Sequence, residues 1–249
     1  MRYLILSDIH ANLAALETVL SQVDGQYDRL VCLGDIVGYG PDPNEVTERV
    51  RKLKPIAVVR GNHDKAGCGL TNAEDFNPVA RTAAEWTRAQ LTPSNLKYLQ
   101  ELPQGPLGVD TFQIVHGSVR DEDEYVFVAR EAHESLLRSE VALTFCGHTH
   151  FQGGFLQRGD DRVEVVRLNL PQGPASGTFP LEEGAKYLIN PGSIGQPRDG
   201  DPRAGFAFYE DKEQAVEYWR VPYDIESTQK KMQQAHLPEP LVNRLSLGR

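Results

Sequence analysis

Short apolar runs alternate with amphipathic stretches through the first 60 residues of the chain. The runs at 3–6, 30–33 and 56–59 are four residues long and mostly aliphatic, which predicts buried strands. Between them, apolar residues recur at helical spacing in 13–20 and 43–53. This alternation of strand and helix predicts a parallel α/β sheet built from crossover units.

The alternation stops after residue 64. Asn77-Pro78 and Thr92-Pro93 each place proline where a helix begins, so two helices are predicted within an insertion at about 71–102 beside the site. Short connections between later strands predict mixed or antiparallel pairing. The further predictions are strands at 112–115, 141–145, 163–170, 187–189, 205–209 and 215–221, a flexible loop at 171–178, and helices beginning near Asp224 and Pro238.

The composition is that of an ordinary globular protein, with 40% hydrophobic and 24% charged residues among 249. Because no linker or internal repeat interrupts the chain, we expect a single domain at 1–249. No apolar run approaches the roughly 18 residues of a membrane span, and charge appears too early for a secretion signal. Three scattered cysteines favour a reducing, cytoplasmic location over a disulfide framework.

The net charge is −9, from 35 acidic and 26 basic residues. This balance disfavours a nucleic-acid backbone as a partner, and no basic, aromatic-lined stretch is present to bind a long strand. Bound cations would offset part of the acidity.

Polar side chains with metal-binding atoms follow most of the predicted strands. Each alone is typical of a cap or a satisfied polar residue, which is how we interpret His133 and His236. Together, carboxylates and imidazoles at one sheet edge would be costly without a cation to neutralise them. The set is Asp8, His10, Asp35, Asn62, His63, His116, His148 and His150, which contains five of the seven histidines.

The chemistry of this set indicates transition metals. Imidazole nitrogen combined with carboxylate and amide oxygen suits manganese, iron, zinc or nickel better than calcium or magnesium. The set holds more ligands than one tetrahedral ion uses, so we expect two divalent ions that share a carboxylate. Mn²⁺ ranks first among the candidates.

The order of these motifs resembles the calcineurin-like metallophosphoesterases, and most of all their small prokaryotic phosphodiesterase-like members. The likeness runs from Met1 to about His150, and the turn at 190–193 is similar to the family's closing strand and turn. It implies an α/β (α+β) fold, a four-layer αββα sandwich with two mixed β-sheets and a dinuclear site at the sheet edge. The motifs are Asp8-x-His10, Gly34-Asp35, Gly61-Asn62-His63-Asp64, His116 and Gly147-His148-Thr149-His150.

The resemblance also implies a reaction, the hydrolysis of phosphoester bonds by a metal-bridging hydroxide. His63 would protonate the leaving oxygen as general acid, and Asp64 would orient His63. The implied ligands are Asp8, His10 and His150 for one metal, Asn62, His116 and His148 for the other, and Asp35 as the bridge.

The chain departs from the protein Ser/Thr phosphatase branch after Gly34-Asp35. That branch continues with an Asp-Arg pair whose arginine grips phosphate, whereas this chain has Ile36-Val37-Gly38. We therefore expect small phosphodiester or nucleotide substrates ahead of phosphoproteins. Four further polar residues are as compatible with an ordinary surface as with phosphate contact and are not assigned to the site: Arg60, Asn77, Arg81 and Arg198.

Rival interpretations remain weaker. A binding scaffold of this fold would have lost ligands, whereas every expected ligand and His63 are present. A serine hydrolase built on Ser193 would need glycine where Pro191 stands. The cysteines lack the spacing of a zinc site. The physiological substrate, the diester or monoester preference and a homo-oligomeric state are left open by the sequence.

Overall fold

The computed structural model describes residues 1–159 and 162–249. Twelve strands and eight helices lie within this described part of the chain. The strands are β1 Arg2–Leu6, β2 Arg29–Cys32, β3 Ala57–Val58, β4 Leu107–Val109, β5 Phe112–Ile114, β6 Leu143–Phe145, β7 Gly153–Gln157, β8 Val163–Val166, β9 Ala175–Pro180, β10 Lys186–Asn190, β11 Ala204–Glu210 and β12 Ala215–Val221. The helices are α1 Leu13–Gln22, α2 Pro43–Leu53, α3 Asn62–Cys68, α4 Pro78–Gln90, α5 Pro93–Gln100, α6 Ala129–Leu136, α7 Ile225–Gln234 and α8 Glu239–Leu245.

The strands form two six-stranded sheets. The first has the order β3-β2-β1-β11-β12-β9 and the second β4-β5-β6-β10-β7-β8. β1, β2 and β3 are parallel, as are β5, β6 and β10, whereas the remaining pairs are antiparallel. The predicted fold of two mixed sheets between helices is therefore confirmed.

The apolar runs reflect burial on both faces of a strand. In β1, Leu4 and Leu6 pack in the cluster that includes α1 and α2, while Tyr3 and Ile5 pack against the second sheet. Successive side chains of a strand point to opposite faces, so a strand between two apolar layers needs a continuous apolar sequence.

Aromatic rings join the two sheets. Tyr3 and Tyr209 come from the first sheet, Phe112 and Phe145 from the second, and all four are almost fully buried. Phe112 meets Tyr3 and Tyr209 edge to face, with ring centres 5.1 and 5.4 Å apart. Such arrangements are favourable beyond the area they bury. On the outer face of the second sheet, α6 packs on Phe155 and completes the fourth layer.

The parallel strands of both sheets end at a common edge. There the amide of His148 donates to the Asp8 carboxylate at 3.1 Å, and the amide of Ile194 donates to the Ser7 carbonyl at 3.1 Å. The loops after these strands therefore meet across the seam between the sheets. The polar residues singled out in the sequence occupy these loops.

Three local predictions are wrong. Within the predicted loop at 171–178, β9 begins and pairs with β12. Its burial alternates because it is an edge strand, so it lacks the apolar run by which inner strands are recognised. The run at 56–59 yields only the two-residue β3, and Ile56 is 46% exposed. Helix α3, which begins at Asn62, is absent from the predicted elements.

The helical insertion begins its two helices at the predicted prolines. The side chains of Asn77 and Thr92 accept hydrogen bonds from Ala80 N and Asn95 N, respectively, which satisfies otherwise free amides in each first turn. In the described part of the chain, no helix combines the length and apolar character needed to cross a membrane.

We expect Phe112→Ala to lower the free energy of unfolding by about 3–5 kcal/mol, because it opens a cavity between the sheets. Phe127→Ala is the matched control, since Phe127 is 48% exposed and its loss should change stability by about 0.5 kcal/mol or less. Urea denaturation followed by circular dichroism measures both. Equal losses would show that the aromatic contacts do not hold the sheets together.

Candidate metal centre and active site

Two groups of buried ligand atoms lie at the common sheet edge. In each group the ligand atoms lie within 4.8 Å of one another. Asp35 belongs to both groups and so links them. The first cluster is Asp8, His10, Asp35 and His150, and the second is Asp35, His116 and His148.

The Asp35 carboxylate lies between the clusters. Its Oδ2 is 3.5 Å from His10 Nε2 and 3.3 Å from His116 Nε2. Among the described residues, this buried oxygen has no well-directed hydrogen bond. Oδ1 accepts from the amide of His63 at 2.9 Å. A buried carboxylate oxygen without a proper donor is costly, and a divalent cation on each side would satisfy it.

Backbone carbonyls orient all four imidazoles of the clusters. A carbonyl only accepts hydrogen bonds, so the ring nitrogen facing it carries the proton and the other nitrogen is directed into the site. Such outer hydrogen bonds are typical of metal-binding histidines. The pairs are His10 Nδ1 to Val37 O (3.2 Å), His116 Nδ1 to Leu33 O (2.8 Å), His148 Nε2 to Asp123 O (3.0 Å) and His150 Nδ1 to Gln196 O (2.6 Å).

Two of these rings face each other without a proton to share. The Nε2 atoms of His10 and His150 are 3.0 Å apart, and burial lowers the pKa of each ring well below 6.5. Both imidazoles are therefore neutral, and two lone pairs meet. This contact is unfavourable in the free chain and suits a cation between the two nitrogens.

The second cluster has a different charge state. Burial alone would lower the pKa of His116, but the carboxylates of Asp35 and Asp8 raise it to about 10. Burial raises the pKa of Asp8 to about 6. The carboxylates around His116 thus favour a positive charge at the second cluster. Metal binding to such a ligand releases its proton.

Five of the clustered residues have left-handed backbone conformations. Their φ values are 51° for Asp8, 49° for His10, 51° for Asp35, 68° for His148 and 63° for His150. Residues other than glycine rarely adopt this region. Such conformations cost about 1–3 kcal/mol each and concentrate at functional sites. Here they turn side chains from successive loop positions toward the same place.

Glycines allow the loops to approach the carboxylates. A Cβ on Gly61 would lie 2.5 Å from the Asp35 amide and would overlap the Asp35 carboxylate. A Cβ on Gly147 would lie 2.8 Å from Asp8 Oδ2 and would overlap the Ser7 hydroxyl, which itself donates to that carboxylate at 2.6 Å. Each motif therefore requires glycine for steric reasons.

Helix α3 places Asn62 and His63 at the site. Asn62 Oδ1 lies 3.3 Å from His116 Nε2, beside the second cluster. The two carboxylate oxygens of Asp64 accept from the amides of Gly61 at 3.0 Å and Val37 at 3.1 Å. These two hydrogen bonds fix the start of α3. That Asp64 orients His63 stays a prediction.

His63 lies beside the clusters and belongs to neither. Its ring packs against Tyr39, Phe76 and His10, with ring centres 4.1, 4.6 and 5.0 Å away. Burial lowers the pKa of His63 to about 4, so the ring is neutral near pH 7. Its Nδ1 has no hydrogen-bond partner among the described residues.

A cavity of about 400 Å³ opens over the second cluster. Asn62, His63 and His148 form part of its wall, and residues 71–77 of the helical insertion form another part. Tyr39, Phe76 and Tyr125 give it aromatic surfaces. Its volume is that of a pocket for a small molecule.

Comparison with known proteins decides the family. The model of the calcineurin-like phosphoesterase superfamily domain matches residues 1–214. The chain belongs to this family. The predicted recognition is confirmed, and the buried Asp and His clusters stand at the positions of the family-like motifs.

Three relatives match all or nearly all of the chain. An uncharacterized protein of Methanocaldococcus jannaschii is 35% identical over 257 residues, covering 98% of this chain and 97% of its own. A crystal structure of a metallophosphoesterase from Sphaerobacter thermophilus is 44% identical, covers 100% of this chain and 99% of its own, and superposes with a TM-score of 0.85. A hypothetical protein of Pyrococcus horikoshii, 18% identical with a TM-score of 0.80 over 100% and 98% of the two chains, shares the fold.

Several polar residues that were left unassigned have structural partners. Arg60 pairs with Glu122 at 2.8 Å, Arg81 donates to the carbonyl of Ala73 at 3.0 Å, and Asn77 caps α4. The Ser193 hydroxyl donates to the Asp8 carbonyl at 2.8 Å, which makes it part of the loop scaffold. No sequence motif indicated that Ser7 donates a hydrogen bond to Asp8 or that the carbonyl of Gln196 orients His150.

We expect Gly61→Ala to weaken metal binding by about ten- to hundredfold, because the new methyl displaces the Asp35 carboxylate. Gly108→Ala is the control, since a Cβ there meets nothing within 4 Å. Titration with Mn²⁺, monitored by the metal retained after desalting, measures the effect. Unchanged retention in a folded Gly61→Ala protein would contradict the role assigned to Asp35.

Proposed function

We propose that this protein hydrolyses phosphoester bonds at a dinuclear metal site. One observation carries the proposal: two buried ligand clusters share the Asp35 carboxylate in a chain of the calcineurin-like phosphoesterase family. The donor set fits divalent transition metals, with Mn²⁺ first and iron, zinc or nickel as alternatives.

The proposal divides the residues between two ions. Asp8, His10 and His150 would hold the first ion, Asn62, His116 and His148 would hold the second, and Asp35 would be shared by both. When bound, the ions lower the pKa of a coordinated water and stabilise negative charge on phosphoryl oxygens. Hydrogen bonds to backbone carbonyls hold the four imidazole rings in place. Their inward nitrogens would therefore face the ions without a change of ring orientation.

His63 is proposed to protonate the leaving oxygen. It lies next to the first cluster and lines the cavity, where a leaving group has room. Because burial lowers the pKa of His63 to about 4 in the free chain, this role requires that a bound phosphoryl anion raise that pKa. Tyr39 and Phe76 hold the ring in place during the transfer.

The cavity favours a small phosphodiester or nucleotide over a phosphoprotein. Aromatic walls and a volume of about 400 Å³ suit a compact organic leaving group. The cytoplasm is the proposed location, supported by the three buried, unpaired cysteines at 32, 68 and 146. Long nucleic acids and membranes are not among the proposed partners.

We expect chelation to abolish hydrolysis and added Mn²⁺ to restore it, with a chromogenic phosphodiester turned over faster than the matching monoester. Initial rates on both substrates, measured on one chelated preparation with and without Mn²⁺, provide the test. Stoichiometric binding of two metals without turnover of any phosphoester would support a scaffold instead.

We expect His63→Ala to keep both metals and to lose about 10²–10⁴-fold in kcat on a diester with a poor, alkyl leaving group. The loss should be much smaller with a nitrophenyl leaving group, which departs without protonation. His133→Ala, in α6 away from the site, is the control. Equal losses on both substrates would rule out His63 as the acid.

A further inference from the structure

The backbone of Arg198 is hydrogen-bonded to a residue of the first cluster. Its amide donates to the carbonyl of His150 at 3.4 Å. The carbonyl of Gln196, two residues earlier, accepts from His150 Nδ1 at 2.6 Å. The segment that carries Arg198 therefore also fixes one of the inward-facing imidazoles.

The guanidinium of Arg198 is held by neutral groups. Its Nη2 donates to the Tyr39 hydroxyl and to Gln196 Oε1, both at 3.2 Å. Its Nε is buried without a hydrogen-bond partner among the described residues. Within that part of the chain, no carboxylate lies at ion-pair distance from it. Buried donors normally find an acceptor, so this guanidinium can donate to a further, anionic partner.

Two arginines that are more deeply buried than the half-buried Arg198 show the contrast. Arg203 pairs with Asp201 at 2.5 Å, and Arg220 pairs with Asp199. These are arginines in structural roles, with their charge neutralised inside the fold. Arg198 is of the same residue type in the same chain, yet it retains its charge uncompensated beside the site.

The Arg198 guanidinium lies beside Tyr39, whose ring contacts two histidines of the site. Its Cζ is 5.6 Å from the centre of the Tyr39 ring, and that ring centre lies 4.7 Å from the ring of His10 and 4.1 Å from the ring of His63. Tyr39 also lines the cavity over the second cluster. Arg198 is therefore separated from the clusters and the cavity by a single side chain.

A second arginine lies next to Arg198 and differs from it. Arg244 Nη1 lies 3.4 Å from the same Gln196 Oε1, and burial and the nearby Arg198 lower the pKa of Arg244. The Nε of Arg244 donates to an oxygen of Arg249, whereas the Nε of Arg198 has no partner among the described residues. Arg198 is therefore the guanidinium of this pair with a donor to spare, and its planar shape suits phosphate oxygens.

We propose that Arg198 binds a non-bridging oxygen of the phosphoryl group that is hydrolysed, and that Tyr39 and Gln196 position it. The inference rests on the proposed function. It supplies the phosphate contact that is missing from the segment after Gly34-Asp35, where Ile36 and Val37 offer no charged group. Arg198 would stabilise the charge that these oxygens carry in the transition state.

We expect Arg198→Met to lower kcat/KM by about 10²–10³-fold, the usual effect of removing one donor to a developing oxyanion. The loss should be the same for good and poor leaving groups, because a non-bridging oxygen does not depart. Arg198→Lys should recover part of the activity, since it keeps the charge but not the planar fork. Arg49→Met is the control; Arg49 pairs with Glu17 on the surface.

A binding measurement separates this inference from the proposed function. On protein loaded with Mn²⁺, isothermal titration calorimetry with inorganic phosphate should show about ten- to hundredfold weaker binding for Arg198→Met at unchanged metal content. An active wild-type protein whose Arg198→Met variant keeps kcat/KM and phosphate affinity within twofold would overturn the role of Arg198 alone. Arg198-dependent phosphate binding without any hydrolysis would support Arg198 and reject the proposed function. Neither binding nor hydrolysis would reject both.

Discussion

The Asp35 carboxylate is the point on which the site depends. Its Oδ2 lies within 3.5 Å of a histidine from each cluster, while Oδ1 accepts from the first turn of α3 at His63. One side chain at the end of β2 thus fixes the spacing of both clusters and the position of the neighbouring catalytic candidate. The close approach of Gly61 makes this possible, since a larger residue would occupy the space of the carboxylate. The positions of the two clusters and of the start of α3 therefore depend on one side chain.

Around this carboxylate, the backbone does most of the positioning. Four carbonyls from three segments accept from the outward nitrogens of the clustered histidines, and left-handed residues turn the loops inward. Both features direct the clustered side chains toward one place. Ligand atoms held in this way would bind a cation with little rearrangement. The close-packed aromatic core fixes the strands from which these loops extend, and so helps to hold the loops in their strained conformations.

The sequence predicts which side chains cluster at the sheet edge better than it predicts the surroundings that orient them. Residues such as His116 and His150 are recognisable because their side chains carry the chemistry and follow apolar runs. The carbonyls of Leu33 and Val37 are not, since every residue has a carbonyl and apolar side chains give no hint of its use. Edge strand β9 was missed for a related reason: its one-sided burial produces no apolar run. Helix α3 was missed because its seven residues are mostly polar and show no apolar repeat at helical spacing.

The two clusters also straddle the seam between the sheets. Asp8 and Asp35 follow strands of the first sheet, whereas His116 and His148 follow strands of the second. An ion held by residues of both sheets would link the two layers of the sandwich. Since the unfolded chain cannot assemble such a link, each bound ion would add stability according to its free concentration relative to its dissociation constant. Metal supply would then set the lifetime of the folded protein as well as its catalytic capacity.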